Sequence, residues 1–124
     1  MHGGRWNSPG NMVLYLSEHP ALCMLEIVVN LSVDPKYLPV DYVLMTVIVP
    51  DNLATETTPT SLERGKEYLF GDLWLRERRS PVLWVPSVVM PQSYNILVNP
   101  EHPQSGLVTT KSVDSMVFDP RLFR

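Results

Sequence analysis

The sequence predicts an α+β domain, a mixed β-sheet core carrying about two main helices. Three observations predict it. Apolar residues fall in short β-branched or aromatic runs closed by proline, as in residues 42–49 before Pro50. Two longer stretches, 20–31 and 66–78, carry helix signals instead. The resulting order, β-α-β-α-β-β-β, ends in consecutive strands, which suits α+β rather than a doubly wound parallel sheet.

Each element follows from its residues. The chain opens Met1-His2-Gly3-Gly4-Arg5-Trp6-Asn7-Ser8-Pro9-Gly10, whose glycines and proline make a loop. A loop so near the start needs something to hold it, so it either packs on the body or follows an element not present here. Residues 11–16 read as a short strand ending near Tyr15. Ser17-Glu18-His19 before Pro20 is a helix start, and the apolar run to Leu31 continues it. Residues 32–41, with Pro35 and Pro39, are a loop. Residues 42–49 give the clearest strand. Residues 51–65 are polar and Thr-rich and read as a mobile loop. In 66–78, Leu69, Phe70, Leu73 and Trp74 recur at helical spacing around Gly71, a weak point in a helix. Residues 82–85, 94–98 and 113–118 are three more strands, closed by Pro86-Ser87, Asn99-Pro100 and Asp119-Pro120. No internal repeat is visible.

Composition bounds the function. A chain of 124 residues forms one domain, residues 1–124, around one core. With a net charge of −3 and no Lys/Arg-rich run, it lacks the clustered cations that bind nucleic-acid phosphates. The densest basic group, Arg76, Arg78 and Arg79 around Glu77, reads as a solvated helix end. The single cysteine, Cys23, cannot form an intrachain disulfide and reads as a small buried hydrophobe. No apolar run of about 18 residues and no signal peptide is present, so the expected compartment is the cytoplasm, with no membrane contact. His19, His102 and Cys23 lack metal-ligand spacing, so no metal site is expected.

A few residues do not fit a pure folding account. Glu26 is the one charged residue between Ala21 and Val29. A helix apolar nearly all round is expected to be buried, and a carboxylate carried on it needs a cation or several donors. Glu26 is therefore either an edge residue reaching solvent or a site carboxylate in a cleft. Arg5 sits among glycines that let backbone approach a ligand, and its planar fork suits phosphate or carboxylate. No G-x-x-x-x-G-K-[ST] or G-x-G-x-x-G accompanies it. Tyr15 is either core or a stacking face for a flat ring. Ser87 has no G-x-S-x-G around it, so a hydrolase nucleophile elbow is unsupported. His102 is more simply a loop-fixing residue than a site residue.

Read together, Gly3 to Gly10, Val13-Leu14-Tyr15-Leu16, residues 21–31 with Leu25-Glu26, Leu38-Pro39 with residues 42–50, Gly71-Asp72-Leu73-Trp74-Leu75, Val85-Pro86-Ser87, residues 95–102 and Asp119-Pro120-Arg121-Leu122 resemble the RES-domain family. The opening motif and Asn-Pro-x-His-Pro are the specific parts. The resemblance implies an ADP-ribosyltransferase-like fold and the toxin of a toxin–antitoxin pair that depletes NAD by splitting its nicotinamide–ribose bond. It implies a helical, Xre-like antitoxin covering the cleft. It places Arg5, Glu26 and Ser87 at the positions that name the family. On that basis Glu26 stabilises the cationic ribose, Arg5 holds the pyrophosphate or orients the carboxylate, Tyr15 stacks on nicotinamide, and Ser87 bonds substrate or carboxylate. Two alternatives stand beside this one: a protein ADP-ribosyltransferase, and an inactive binding or assembly module. The third arises because family members carry a strand before the Gly-Gly-Arg-Trp loop, whereas Met1 and His2 here lead straight into it. The expectation is then an N-terminally short domain with one open sheet edge, covered by a partner or a second copy in a homo-oligomer.

Overall fold

The computed structural model describes residues 3–31 and 40–123. In chain order the elements are β1 (Leu14–Ser17), α1 (Pro20–Asn30), β2 (Val43–Ile48), β3 (Thr55–Thr57), α2 (Glu67–Glu77), β4 (Val82–Pro86), β5 (Tyr94–Val98) and β6 (Thr109–Ser115). Among the described residues, two α-helices and two sheets make an α+β fold, as expected. The loop predicted over 32–41 lies mostly outside the described residues, and so does Leu38-Pro39.

The main sheet runs β1-β5-β4-β3. Antiparallel pairing sets Leu14 opposite Val98 and Ser17 opposite Asn95, and Leu83 opposite Leu97. β3 joins β4 in parallel, with Glu56 opposite Leu83, so the sheet is mixed. Because side chains alternate across a strand, Leu83, Val85 and Leu97 share one face. There they meet Trp6, Trp74 and Leu75 in the buried core. Trp74 is fully buried, and its indole N–H donates to Ser80 Oγ at 2.9 Å, so burial leaves no orphan donor. β2 and β6 form a separate antiparallel ladder with a bulge between Thr46 and Val47.

Gly71 shows why a glycine sits inside α2. The backbone of Trp6 crosses the helix there, and a Cβ would stand inside the Trp6 carbonyl oxygen. This close approach turns Gly71, Trp74 and Leu75 to the core, while Leu69 and Leu73 face outward. The helix predicted from the spacing of Leu69, Phe70, Leu73 and Trp74 is present. Arg79, expected on a solvated helix end, is tied down: its guanidinium bonds Glu56 at 2.8 Å and Glu77 at 3.2 Å and lies over Phe70. It thereby links β3 to the end of α2.

Three further expectations change. Residues 55–57, read as loop, form the edge strand β3; three polar residues held by backbone pairing give no apolar signal. The last strand runs Thr109–Ser115 rather than 113–118, because β6 pairs with β2 through Thr, Lys and Ser and needs no apolar run. Met116 and Phe118 are buried beyond its end, with Phe118 edge-on to Tyr42. Finally, α1 is not enclosed. Leu22 is its one buried residue, Leu25 and Val29 are 36% and 58% exposed, and Cys23 is only half-buried. An apolar helix goes under only when another element covers each side, and among the described residues α1 packs chiefly on β1.

Candidate functional site

The opening loop is clasped to the body at every turn. Trp6 and Asn7 are both 5% exposed. Asp72, next to Gly71 on α2, accepts the Ser8 N–H at 2.8 Å, the Ser8 hydroxyl and the Asn11 amide at 3.0 Å. Burial pushes the Asp72 carboxyl up, but these donors together with the Arg76 charge outweigh it and hold the group below the usual carboxylate range. Asn7 closes the loop on itself: its Oδ1 accepts the Gly4 N–H at 3.0 Å, and its Nδ2 donates to the Asn11 carbonyl at 2.7 Å.

Tyr15 is seized by this loop. Its hydroxyl donates to Asn7 Oδ1 and accepts the Trp6 N–H at 3.3 Å. A Cβ on Gly4 would lie 2.5 Å from that hydroxyl, so only glycine lets the loop come so near. Burial is the main cause that pushes the phenol up; the Trp6 N–H works against it, the Asp72 charge adds to it, and the Arg5 charge again opposes it. The ring is 44% exposed and borders a hollow of about 290 Å³ with Gly3, Gly4, Asn7, Met12 and Val13. A larger hollow, about 630 Å³, lies on the Asp72 side of the loop. Asp72, Glu101, Arg76 and Arg78 are among its lining residues, and Arg5, Tyr15, Glu26 and Ser87 are not.

Glu26 reaches from α1 to the main sheet. His19 caps the helix start by accepting the Leu22 N–H at 3.3 Å, and Pro20 occupies the first turn. One turn and a half later the half-buried Glu26 Oε1 accepts the Ser87 hydroxyl at 2.6 Å and the Asn95 amide at 2.8 Å. Ser87 is 2% exposed, and its oxygen also accepts the Met90 N–H at 3.0 Å. Asn95 Oδ1 in turn accepts the Ser17 hydroxyl at 2.8 Å. Ser17 and Tyr15 are two residues apart on β1 and so point to one face of the sheet, as do their partners Asn95 and Leu97. Cys23, one turn before Glu26, has its thiol pushed up by burial and then by the Glu26 charge.

Four residues were expected to share a site, and the structure joins them in two groups. Glu26 and Ser87 are bonded directly. Tyr15, on β1, is bonded to the loop that carries Arg5, but Arg5 pairs with Glu67 of α2 at 3.6 Å rather than with Glu26. Burial acts to raise the Glu67 carboxyl, yet the Glu67 and Gly65 N–H groups and Arg5 prevail and lower it. His102 fixes its loop, as expected, by accepting the Gln104 N–H at 3.0 Å. Asn95, Ser17, Asn7 and Asp72 were not singled out from sequence. Asn95 had one usable signal: an amide amid Tyr94, Ile96, Leu97 and Val98, where strands disfavour it. Among the described residues, no three His, Cys, Asp or Glu side chains gather to hold a metal ion. None of their helices is long and apolar enough to cross a membrane.

Comparison with known proteins adds an independent line. The family model described as the RES domain matches residues 1–119. A protein of Sphingobium sp. (strain YBL2) named Prs ADP-ribosylating toxin is 35% identical over 98% of this chain and 81% of its own. Proteins named Toxin Res from Pseudomonas putida and Yersinia enterocolitica are each 32% identical, over 97% and 98% of this chain and 86% and 84% of theirs.

Proposed function

The chain belongs to the RES-domain family, and from that premise we propose that it is the toxin of a toxin–antitoxin pair and depletes NAD by cleaving the nicotinamide–ribose bond. The observation that carries this reading is the Glu26 carboxylate, held by two donors on the sheet face that also presents Tyr15. Breaking the C1′–N bond sends its electron pair to the departing nicotinamide, which leaves neutral, and positive charge builds on the ribose. A fixed carboxylate beside that carbon stabilises the charge without having to reorient. Water then gives ADP-ribose and a proton; phosphate gives the ADP-ribose phosphate ester.

The other residues take supporting roles. Tyr15 offers the exposed part of its ring to the nicotinamide, its hydroxyl being already committed to the loop. Arg5 holds the pyrophosphate. Its pair with Glu67 is long at 3.6 Å and the Arg5 side chain is half-exposed, so a doubly charged pyrophosphate can compete for the guanidinium, while Glu67 keeps the Gly65 N–H. Ser87 acts on the carboxylate. The domain, residues 1–124, is cytoplasmic, and an Xre-like antitoxin silences it by covering the cleft, with a homo-oligomer as a further state.

The test is incubation of purified protein with NAD, with and without phosphate, and identification of products. Nicotinamide release is expected, and Glu26→Ala should lower it by at least about a hundredfold; unchanged NAD over hours with folded protein would sink the proposal. The name of the Sphingobium relative favours a second reading, transfer of ADP-ribose to a protein. That reading predicts label from NAD on a protein target with little free ADP-ribose. An inactive assembly module predicts neither, and no NAD binding by calorimetry.

A further inference from the structure

We infer that Asn95, keyed by the Ser17 hydroxyl, is a positioning residue that holds Glu26 by Oε1 and leaves Oε2 as the oxygen that meets the substrate. The inference rests on the NAD-cleaving reading and assigns roles within its site.

The hydrogen-bond arithmetic allows one arrangement. An ionised carboxylate only accepts, so the amide must turn its NH₂ to Glu26 and its carbonyl oxygen away. That oxygen meets Ser17 Oγ at 2.8 Å, and a carbonyl also only accepts, so the Ser17 proton points at Asn95. The second donor is fixed in the same way. Ser87 receives the Met90 N–H on its oxygen and sends its own proton to Glu26. Both donors end on Oε1, and among the described residues no hydrogen bond reaches Oε2. A carboxylate gripped by one oxygen can turn only about that point, so the free oxygen sweeps a small arc. Asn95 and Ser17 sit directly opposite in the β1–β5 register, so backbone pairing of two strands fixes the key. Ser87 is almost wholly buried with its proton committed, which makes it a second positioning residue.

The experiment uses the full chain and follows NAD consumption at varied NAD, together with the Asn95 side-chain amide by NMR without NAD. Asn95→Leu keeps the volume and removes the donor; kcat should fall about a hundredfold while KM stays within about threefold. Ser17→Ala leaves Asn95 present but free to flip, and should cost kcat about tenfold with the same split, while Ser17→Thr, which keeps the hydroxyl, stays within about threefold of wild type. By NMR one Asn95 amide proton should lie downfield in wild type and Ser17→Thr, and lose that displacement in Ser17→Ala and Glu26→Gln. Equal kcat in wild type and Ser17→Ala, or a fall shared by Ser17→Thr, overturns the inference; so does an amide signal indifferent to Glu26. If wild type consumes no NAD but the amide responds as described, the chemical reading fails while the Ser17–Asn95–Glu26 grip stands.

Discussion

The sheet side and the α1 side of this molecule are held in different ways. On the sheet side, Trp74, Leu83, Val82 and Leu97 are fully buried, and α2 presses so close to the opening loop that only Gly71 fits. On the other side, α1 buries Leu22 and turns Leu25 and Val29 to solvent. Glu26 stands at the seam, on the loosely packed helix but bonded to two residues of the tight half. The difference teaches that apolar packing fixes the scaffold, whereas α1 is seated by one buried leucine and by the polar contacts of Glu26.

The most severe break should come from the tight half. Gly71→Ala drives a methyl into the Trp6 carbonyl and is expected to cost roughly 3 kcal/mol in urea unfolding; a cost under roughly 1 kcal/mol would mean the loop is not clasped there. Asp72→Asn should be milder, about 1 kcal/mol at neutral pH, since the group is partly exposed. Its pH dependence is diagnostic. Asp72 is lowered in the folded protein, so it contributes stability above the unfolded carboxylate value of about 4, lost as pH falls through its own lower value. Stability measured from pH 5 to 2 should therefore decline less in Asp72→Asn than in wild type. The smallest effects belong to the open helix: Leu25→Ser and Val29→Ser should each change stability by no more than about 0.5 kcal/mol. A loss of roughly 2 kcal/mol from either would show that α1 is covered in solution and dissolve the contrast.

The sequence was most readable where side chain and backbone asked for the same thing. Residues 82–85 and most of 94–98 are apolar and largely buried, and they are strands as expected. β3 escaped notice because its pairing is all backbone and its side chains are Thr, Glu and Thr. For α1 the extent was legible and the burial was not, because an apolar run records what could be covered, not what covers it. At the candidate site, the lone Glu26 and the glycine-rich loop stood out, while Asn95 and Asp72 did not. Their partners lie 69 and 61–64 positions away, and no local pattern records which distant residue a carboxylate or amide will meet.

The pairing of the first strand with the fifth has a consequence for biosynthesis. Leu14 sits opposite Val98, and Glu26 waits for Ser87 and Asn95. A ribosome must therefore release the chain through Ser87 before the carboxylate finds its first donor, and through Asn95 before it finds the second. Until then the nascent polypeptide carries Glu26 without its socket.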